Sequence, residues 1–207
     1  MNLLDYAIKA SRALRRAGLR YALVGGLACI LMGVQRITED ADFIVEALSE
    51  NDVERLVTEL RNEGIPVSLR EALGAFRDRG HFTVIVDRFR LDFKFQSSRL
   101  DAETLERAVE VEVPEGRIRI ARLEELVVAK VATLGSLKDL EDALWLAIQY
   151  KHQIDWERVH HLLGTDLSEV IDSLLARIEA EYPESYAVRT KVRELRDKLH
   201  YLKKLKG

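Results

Sequence analysis

Two adjacent glycines, Gly25 and Gly26, stand between a strand-like run and a helical run. Because glycine has no Cβ, backbone N–H groups at such a turn can approach an anion closely. Two acids, Asp40 and Asp42, follow on the next predicted strand. Alternate side chains of a strand share a face, where paired carboxylates can hold oxygen-loving divalent cations. These residues indicate a phosphate site and its metal; an ordinary tight turn and a solvated strand end are the alternatives.

A third acid, Asp92, lies within an otherwise apolar strand of a predicted β-hairpin, residues 82–86 and 89–95. A buried carboxylate is costly unless something pairs with it. A divalent cation is one partner, and a salt bridge to Arg90 or Lys94 is the other. Two-metal phosphoryl transfer uses several carboxylates that converge on ions about 3.5–4 Å apart. The third acid therefore favours phosphoryl transfer.

At these residues the chain resembles the nucleotidyltransferase superfamily related to DNA polymerase beta. The superfamily signature is a hydrophobic strand, Gly-Gly or Gly-Ser, a short helix, Asp-x-Asp on the next strand and a later strand-borne Asp. More narrowly, the chain is similar to the branch of abortive-infection type IV toxins and their uncharacterised prokaryotic relatives. Gly26 stands where many members have a serine hydroxyl. The matching residues are Gly25, Gly26, Arg36, Thr38, Asp40, Asp42 and Asp92.

The resemblance implies an α+β fold, with a mixed β-sheet flanked by helices and followed by a C-terminal helical bundle. It also implies Mg²⁺-dependent transfer of a nucleotidyl group from a nucleoside triphosphate such as ATP, with release of pyrophosphate. Asp40, Asp42 and Asp92 would hold two Mg²⁺ ions, or Mn²⁺ in their place, and Asp92 would deprotonate the acceptor. We expect Gly25, Gly26, Arg36 and Thr38 to bind the nucleotide.

Several alternatives accompany this assignment. Arg36 could pair with Glu39, and Thr38 could only shape the turn. The acceptor hydroxyl could belong to RNA such as a tRNA end, to a protein or to a small molecule. The second hypothesis is a nucleotide-binding interaction module without turnover, which engages a helical partner protein in a toxin–antitoxin-type pair.

The helical half of the sequence carries a second, shorter match. In the toxin branch, a helix lysine followed by a Lys-Asp…Asp stretch belongs to the nucleotide site. Lys130, Lys138, Asp139 and Asp142 are similar to that pattern. We therefore expect a catalytic role for Lys130 and nucleotide contacts for Lys138 and Asp142. Snorkelling of Lys130 at the edge of the core and capping by Asp139 with Ser136 are the alternatives.

A change of pattern near residue 120 predicts two domains: a catalytic core over 1–120, and a helical domain over 121–207 that completes the nucleotide cleft. In the first, Ser49 is expected to cap a helix over 50–63, and a strand is expected at 65–70. Residues 71–80 give no clear pattern. The other expected elements are helices at 3–17, 27–32 and 101–108, and strands at 21–24, 109–113 and 117–120.

Composition limits the remaining classes of function. The net charge of −3 and a pI near 6.0 argue against general binding to duplex DNA. A single cysteine, Cys29, permits no disulfide framework within one copy. No apolar run is long enough for a membrane span, and the start lacks the order of a signal peptide. We expect a cytoplasmic protein that does not associate with membranes.

Overall fold

The computed structural model describes residues 1–206, apart from the side chains of Leu134 and Lys206. Gly207, the last residue of the predicted helical domain, lies outside the described residues. The chain divides into two compact units, Met1–Arg122 and Leu123–Gly207.

The first unit contains a six-stranded mixed sheet and five helices. Its helices are α1 Leu3–Arg16, α2 Gly25–Leu31, α3 Glu50–Asn62, α4 Leu69–Arg77 and α5 Arg99–Arg107. Its strands are β1 Arg20–Val24, β2 Asp40–Glu46, β3 His81–Val86, β4 Phe89–Phe95, β5 Val109–Val113 and β6 Gly116–Ile120.

Short polar side chains fix where several helices begin. Ser49 accepts a hydrogen bond from the backbone N–H of Asp52, whose carboxylate accepts one from the Ser49 backbone N–H in return. The same reciprocal capping box starts α5, between Ser98 and Asp101. Each box satisfies N–H groups that the first helical turn cannot pair internally. The helix over 50–63 is thereby confirmed.

The strand order is β3-β4-β2-β1-β6-β5. Strand β2 is antiparallel to β1 and parallel to β4, and β3 and β4 form the predicted hairpin. Strand β6 runs parallel to β1 and pairs with β5 as a second hairpin. This order brings β2 and β4, which carry the predicted carboxylates, next to each other.

The two faces of the sheet differ in chemistry because side chains alternate along each strand. Phe43 on β2 stacks on Phe93 of β4 at 5.4 Å between ring centroids, and Phe93 stacks on Phe82 of β3 at 4.9 Å. These rings belong to the buried core, on the face that carries α1, against which α3 packs in turn. On the opposite face, α5 packs against β1 and β2 through Leu105 and Ala108.

The predicted strand at 65–70 is wrong. Ile65 and Val67 are buried in an alternating pattern, as a strand would bury them, but this segment pairs with no strand of the six-stranded sheet. Ser68 instead caps α4 by accepting a hydrogen bond from the Glu71 backbone N–H. The segment without a clear pattern, 71–80, is therefore mostly helix α4.

The second unit consists of helices, as expected. They are α6 Leu123–Ala129, α7 Leu137–Gln149, α8 Trp156–Leu163, α9 Leu167–Glu181 and α10 Tyr186–Lys206. A π-helical turn, Lys130–Leu134, continues α6 and ends at Gly135, which has the left-handed φ of 60°. Among the helices described, none has both the length and the apolar character that a membrane crossing requires.

Candidate active site

Asp42 and Asp92 are direct neighbours in the parallel pair of β2 and β4. Residues paired in this way share a face, and the strands that carry them are about 4.8 Å apart. Asp40 lies on the same face, two residues before Asp42, and is paired with Arg90. All three carboxylate residues are half-buried. The register therefore places the three predicted acids together, at the end of the sheet where β1 passes into α2.

Gly25 brings the carboxylate of Asp42 against the backbone turn. A Cβ built on Gly25 would lie 2.8 Å from the carboxyl carbon of Asp42, and closer still to Oδ2. The φ of Gly25 is +67°, which side-chain-bearing residues rarely adopt. Two independent constraints, backbone angle and space, therefore require glycine at this position.

Gly26 likewise lies in close contact with side chains, here those of the loop before β2. A Cβ on Gly26 would lie 2.9 Å from Nη2 of Arg36 and 3.2 Å from Oγ1 of Thr38. Thr38 also accepts a hydrogen bond of 3.3 Å from the backbone N–H of Asp40. The guanidinium and the hydroxyl are thus gathered at the glycine turn, beside the carboxylates.

Asp92 has two protein partners. Its Oδ1 accepts a hydrogen bond from the hydroxyl of Thr83, which faces it across the β-hairpin. Its Oδ2 pairs with Nη2 of Arg90 at 2.9 Å. The salt bridge to Arg90 that the sequence offered as an alternative therefore forms, whereas Lys94 pairs with Asp101. Thr83 was missed, although the hairpin register places it opposite Asp92.

All three acids raise the pKa of the Arg90 guanidinium. Its pKa is raised above the ordinary value, first by its hydrogen bond to Asp92 and then by Coulombic attraction to that carboxylate. Attraction to Asp40 and Asp42 adds smaller contributions, against a small opposing effect of burial. This end of the sheet is therefore a region of negative potential in which Arg90 is a counterion.

The donor chemistry of the carboxylates suits a hard divalent cation, because Mg²⁺ prefers carboxylate and phosphate oxygens. Within the described part of the chain, no group of three or more His, Cys, Asp or Glu side chains is placed to hold a metal ion. Asp42 and Asp92, side by side on the neighbouring strands β2 and β4, form a lateral pair of carboxylates that can donate oxygen ligands. Such a pair fits a Mg²⁺ ion that takes its remaining ligands from nucleotide phosphates and water.

Lys94 and Asp101 fix the helix that covers the other end of this face. Nζ of Lys94 lies 2.8 Å from Oδ1 of Asp101, whose side chain is 5% exposed. Burial raises the pKa of Asp101, but hydrogen bonds from Lys94 and from the backbone N–H of Ser97 outweigh it, so the pKa is lowered overall. The ion pair anchors α5 to β4 and leaves the end with Asp42 and Asp92 uncovered by α5.

The second unit holds Asp139 and Asp142 around one buried lysine, Lys130. Nζ of Lys130 lies 2.8 Å from Asp139 and 2.9 Å from Asp142. Ser136 caps α7 by accepting a hydrogen bond from the Asp139 backbone N–H, and its hydroxyl donates to the Asp139 carboxylate. Lys138 is exposed. The catalytic role of Lys130 and the nucleotide contacts of Lys138 and Asp142 remain predictions.

Several solved structures are similar to the chain at low identity. The antibiotic-resistance factor ANT(2″)-Ia in solution is 18% identical, with 88% of this chain and 97% of that chain covered and a TM-score of 0.47. An antigenic nucleotidyltransferase-like protein from Paracoccidioides brasiliensis is 12% identical, with 91% and 92% covered and a TM-score of 0.46. A tRNA nucleotidyltransferase complexed with a primer tRNA and an incoming ATP analogue is 18% identical, with 88% and 62% covered and a TM-score of 0.34.

No curated protein matches the chain at a significant level. A family model matches residues 2–185, which include the glycine turn, the three acids and most of the helical unit. Its description is "Nucleotidyltransferase of unknown function (DUF6036)". The match confirms the superfamily resemblance that the glycine and aspartate residues predicted, and the chain therefore belongs to this nucleotidyltransferase family.

Proposed function

We propose that the protein transfers a nucleotidyl group from a nucleoside triphosphate to an acceptor hydroxyl in a Mg²⁺-dependent reaction. The observation that carries this proposal is the lateral pair of Asp42 and Asp92, with Asp42 against the Gly25 turn. Family membership supports transferase chemistry, and the carboxylate pair supports its dependence on a metal.

Asp42 and Asp92 are the residues that would hold Mg²⁺ as the structure stands, and Asp40, on the same face, would join them as a third ligand only after a change of its side-chain position. When bound, the ion neutralises phosphate charge and makes the acceptor hydroxyl more acidic. For Asp92 to hold the ion through Oδ2, Arg90 would have to leave that oxygen, with which its guanidinium pairs. Arg90 is able to leave, since its side chain is 52% exposed and belongs to a long, flexible residue type.

In this proposal the nucleotide phosphates and the acceptor bind on opposite sides of the carboxylates. Arg36 and Thr38, gathered at Gly26, bind the β- and γ-phosphates on the β1 side. An in-line displacement requires the attacking oxygen opposite the leaving group. The acceptor therefore approaches from the β4 side, where Asp92 lies.

The reaction balances with these groups alone. The acceptor oxygen forms a bond to the α-phosphorus, and the bond between that phosphorus and the bridging oxygen to the β-phosphorus breaks. Pyrophosphate leaves with the electron pair of that bond. Asp92 accepts the hydroxyl proton, as a general base within reach of an acceptor on its own side.

The experiment incubates the protein with each α-labelled nucleoside triphosphate, Mg²⁺, cell RNA and cell protein, and follows the label. The expected result is labelled RNA or protein, and its loss in Asp42→Asn, which keeps the shape of the side chain against Gly25. Asp78→Asn is the matched control, because Asp78 is an exposed residue at the end of α4. A small-molecule acceptor is sought by pyrophosphate release. Full transfer by Asp42→Asn would remove the assignment.

One observation favours the second hypothesis, nucleotide binding without turnover. Both carboxylate oxygens of Asp92 are engaged, by Thr83 and by Arg90. A protein that keeps these bonds binds nucleotide through Arg36 and Thr38 but has no base for the acceptor. Metal-dependent nucleotide binding without label transfer to RNA, protein or small molecules would support this module.

A further inference from the structure

Thr83 faces Asp92 in the antiparallel pair of β3 and β4, and its hydroxyl donates a hydrogen bond to Oδ1 of Asp92. We propose that Thr83 is a positioning residue that sets which oxygen of Asp92 meets the substrate and its metal. This inference rests on the proposed transferase function of the carboxylate site. Neither the family match nor the sequence motif singles out Thr83.

The order of strands determines which carboxylate oxygen of Asp92 lies toward Thr83 and which lies toward Asp42. Strand β4 lies between β3 and β2, so Thr83 and Asp42 flank Asp92 from opposite sides. Because Oδ1 is bonded to Thr83, it is held on the β3 side. Oδ2 is then the oxygen for ligands on the side of Asp42.

The two partners of Asp92 differ in how firmly they hold it. Thr83 is β-branched and half-buried, and the hairpin register fixes its backbone opposite Asp92. Arg90 is a long side chain that is 52% exposed, and it can exchange its carboxylate for solvent. The Thr83 bond therefore persists when the Arg90 bond opens, and it prevents the freed carboxylate from rotating.

Replacement of Thr83 separates the hydroxyl from the shape of the side chain. Thr83→Val has nearly the same shape without the hydroxyl, and Thr83→Ser keeps the hydroxyl. Loss of a group that orients a metal ligand typically lowers metal affinity or activity by about 10–100-fold. We expect that loss in Thr83→Val and recovery to within about threefold of wild type in Thr83→Ser.

The test measures Mn²⁺ affinity by electron paramagnetic resonance with a non-hydrolysable nucleoside triphosphate, and label transfer with the natural nucleotide. Thr83→Val should lower kcat and Mn²⁺ affinity but leave KM for the nucleotide within about twofold, because the phosphates lie on the other side. Thr83→Ala is the second hydroxyl-free variant, should valine distort the strand. Thr58→Val is the matched control, because its hydroxyl bonds to a backbone carbonyl on the exposed side of α3.

Equal Mn²⁺ affinity and kcat in wild type, Thr83→Val and Thr83→Ala would overturn the role of Thr83 and leave the transferase proposal standing. Absent transfer in the wild type, with Mn²⁺ affinity still lowered by Thr83→Val and restored by Thr83→Ser, would overturn the transferase proposal but uphold the positioning of Asp92. A wild-type protein that binds no Mn²⁺ with nucleotide would overturn both.

Discussion

Asp42 and Asp92 face the same side of the sheet because β2 and β4 pair in parallel with these two residues in register. A slip of one residue between the strands would turn one of the carboxylates into the apolar core. The stacked rings of Phe43 and Phe93, each next in sequence, hold the register from the opposite face. The packing of the core and the placement of the acids therefore depend on the same strand pairing.

Replacement of Gly25 by alanine should weaken nucleotide binding. The variant combines a strained φ with a Cβ that overlaps the Asp42 carboxylate, so Asp42 must move. We expect the affinity for the metal–nucleotide complex to fall by at least about tenfold, which corresponds to a loss of at least about 1.4 kcal/mol of binding free energy. Isothermal titration with a Mg²⁺–nucleotide complex measures the change in affinity.

The control for this variant is Gly18→Ala. Gly18 has a φ of +72°, close to that of Gly25, but a Cβ there would meet nothing within 4 Å. Both variants should lose about 1–2 kcal/mol of unfolding free energy from backbone strain. Only Gly25→Ala should lose nucleotide binding, and equal binding by the two variants would contradict the role given to the contact between Gly25 and Asp42.

Arg90→Met should strengthen divalent-cation binding, in the opposite direction to Thr83→Val. The guanidinium competes with any cation for Asp92 and is attracted by Asp40 and Asp42. Removal of one positive charge about 5 Å away favours a cation by about 1–3 kcal/mol, which is about 5–150-fold in affinity. Mn²⁺ titration at low and high salt measures this gain, which should shrink as salt increases. Weaker Mn²⁺ binding in Arg90→Met would show that Arg90 supports the site rather than competing for it.

Lys130→Met should destabilise the helical unit. The side chain of Lys130 is 5% exposed and pairs with Asp139 and Asp142, so its loss leaves two buried carboxylates without this cation. Removal of one member of a buried ion pair costs about 3–5 kcal/mol. Urea unfolding of the full chain measures the change. Lys138→Met, at an exposed position on α7, is expected to change stability by no more than about 0.5 kcal/mol.

The same pair of variants also tests the predicted nucleotide contacts. A Lys130→Met protein that unfolds like the wild type but loses nucleotide affinity would place Lys130 at the substrate instead of in the core. Weaker nucleotide binding in Lys138→Met at unchanged stability would support the predicted contact of Lys138.

Acid should weaken the anchor of α5. The pKa of Asp101 is lowered in the folded protein, because hydrogen bonds from Lys94 and Ser97 outweigh the effect of burial. A group with a depressed pKa contributes stability that is present above its unfolded pKa, about 3.9, and is lost as pH falls through the folded value. The unfolding free energy of the wild type should therefore fall more steeply below about pH 5 than that of Asp101→Asn. Parallel slopes for the two proteins would exclude Asp101 as a source of acid sensitivity.

Local signals predicted most of the elements that carry the site. Helix α3 has a capping residue and a glycine that follows its last turn, and the β3–β4 hairpin alternates apolar and polar residues, so each is specified by its own residues. The strand predicted at 65–70 is wrong because the alternating apolar residues Ile65 and Val67, both buried in the structure, imitate a strand pattern. Strand formation requires an edge to pair with, and a sequence pattern does not reveal whether an edge is available.

The site was predictable where one short segment carries the chemistry. Gly25, Gly26, Asp40 and Asp42 lie within a single β-α-β stretch, so their spacing nearly fixes their geometry. The partner of Asp92 was harder to choose, because Arg90 and Lys94 share its face and only the packing of α5 assigns Lys94 to Asp101. Thr83 could be found only by aligning the hairpin residue by residue.

The two faces of the sheet should differ in how well they tolerate substitution, because one is packed into the core and the other carries the carboxylates. Along β4, Leu91 and Phe93 are wholly enclosed, whereas Arg90 and Asp92 reach the opposite side. Substitution at Arg90 should therefore be tolerated better than at Leu91 or Phe93, whereas Asp92 is constrained by its proposed role. A lineage could change outward positions such as Arg90 to accept a new substrate while inheriting the aromatic layer beneath them unchanged.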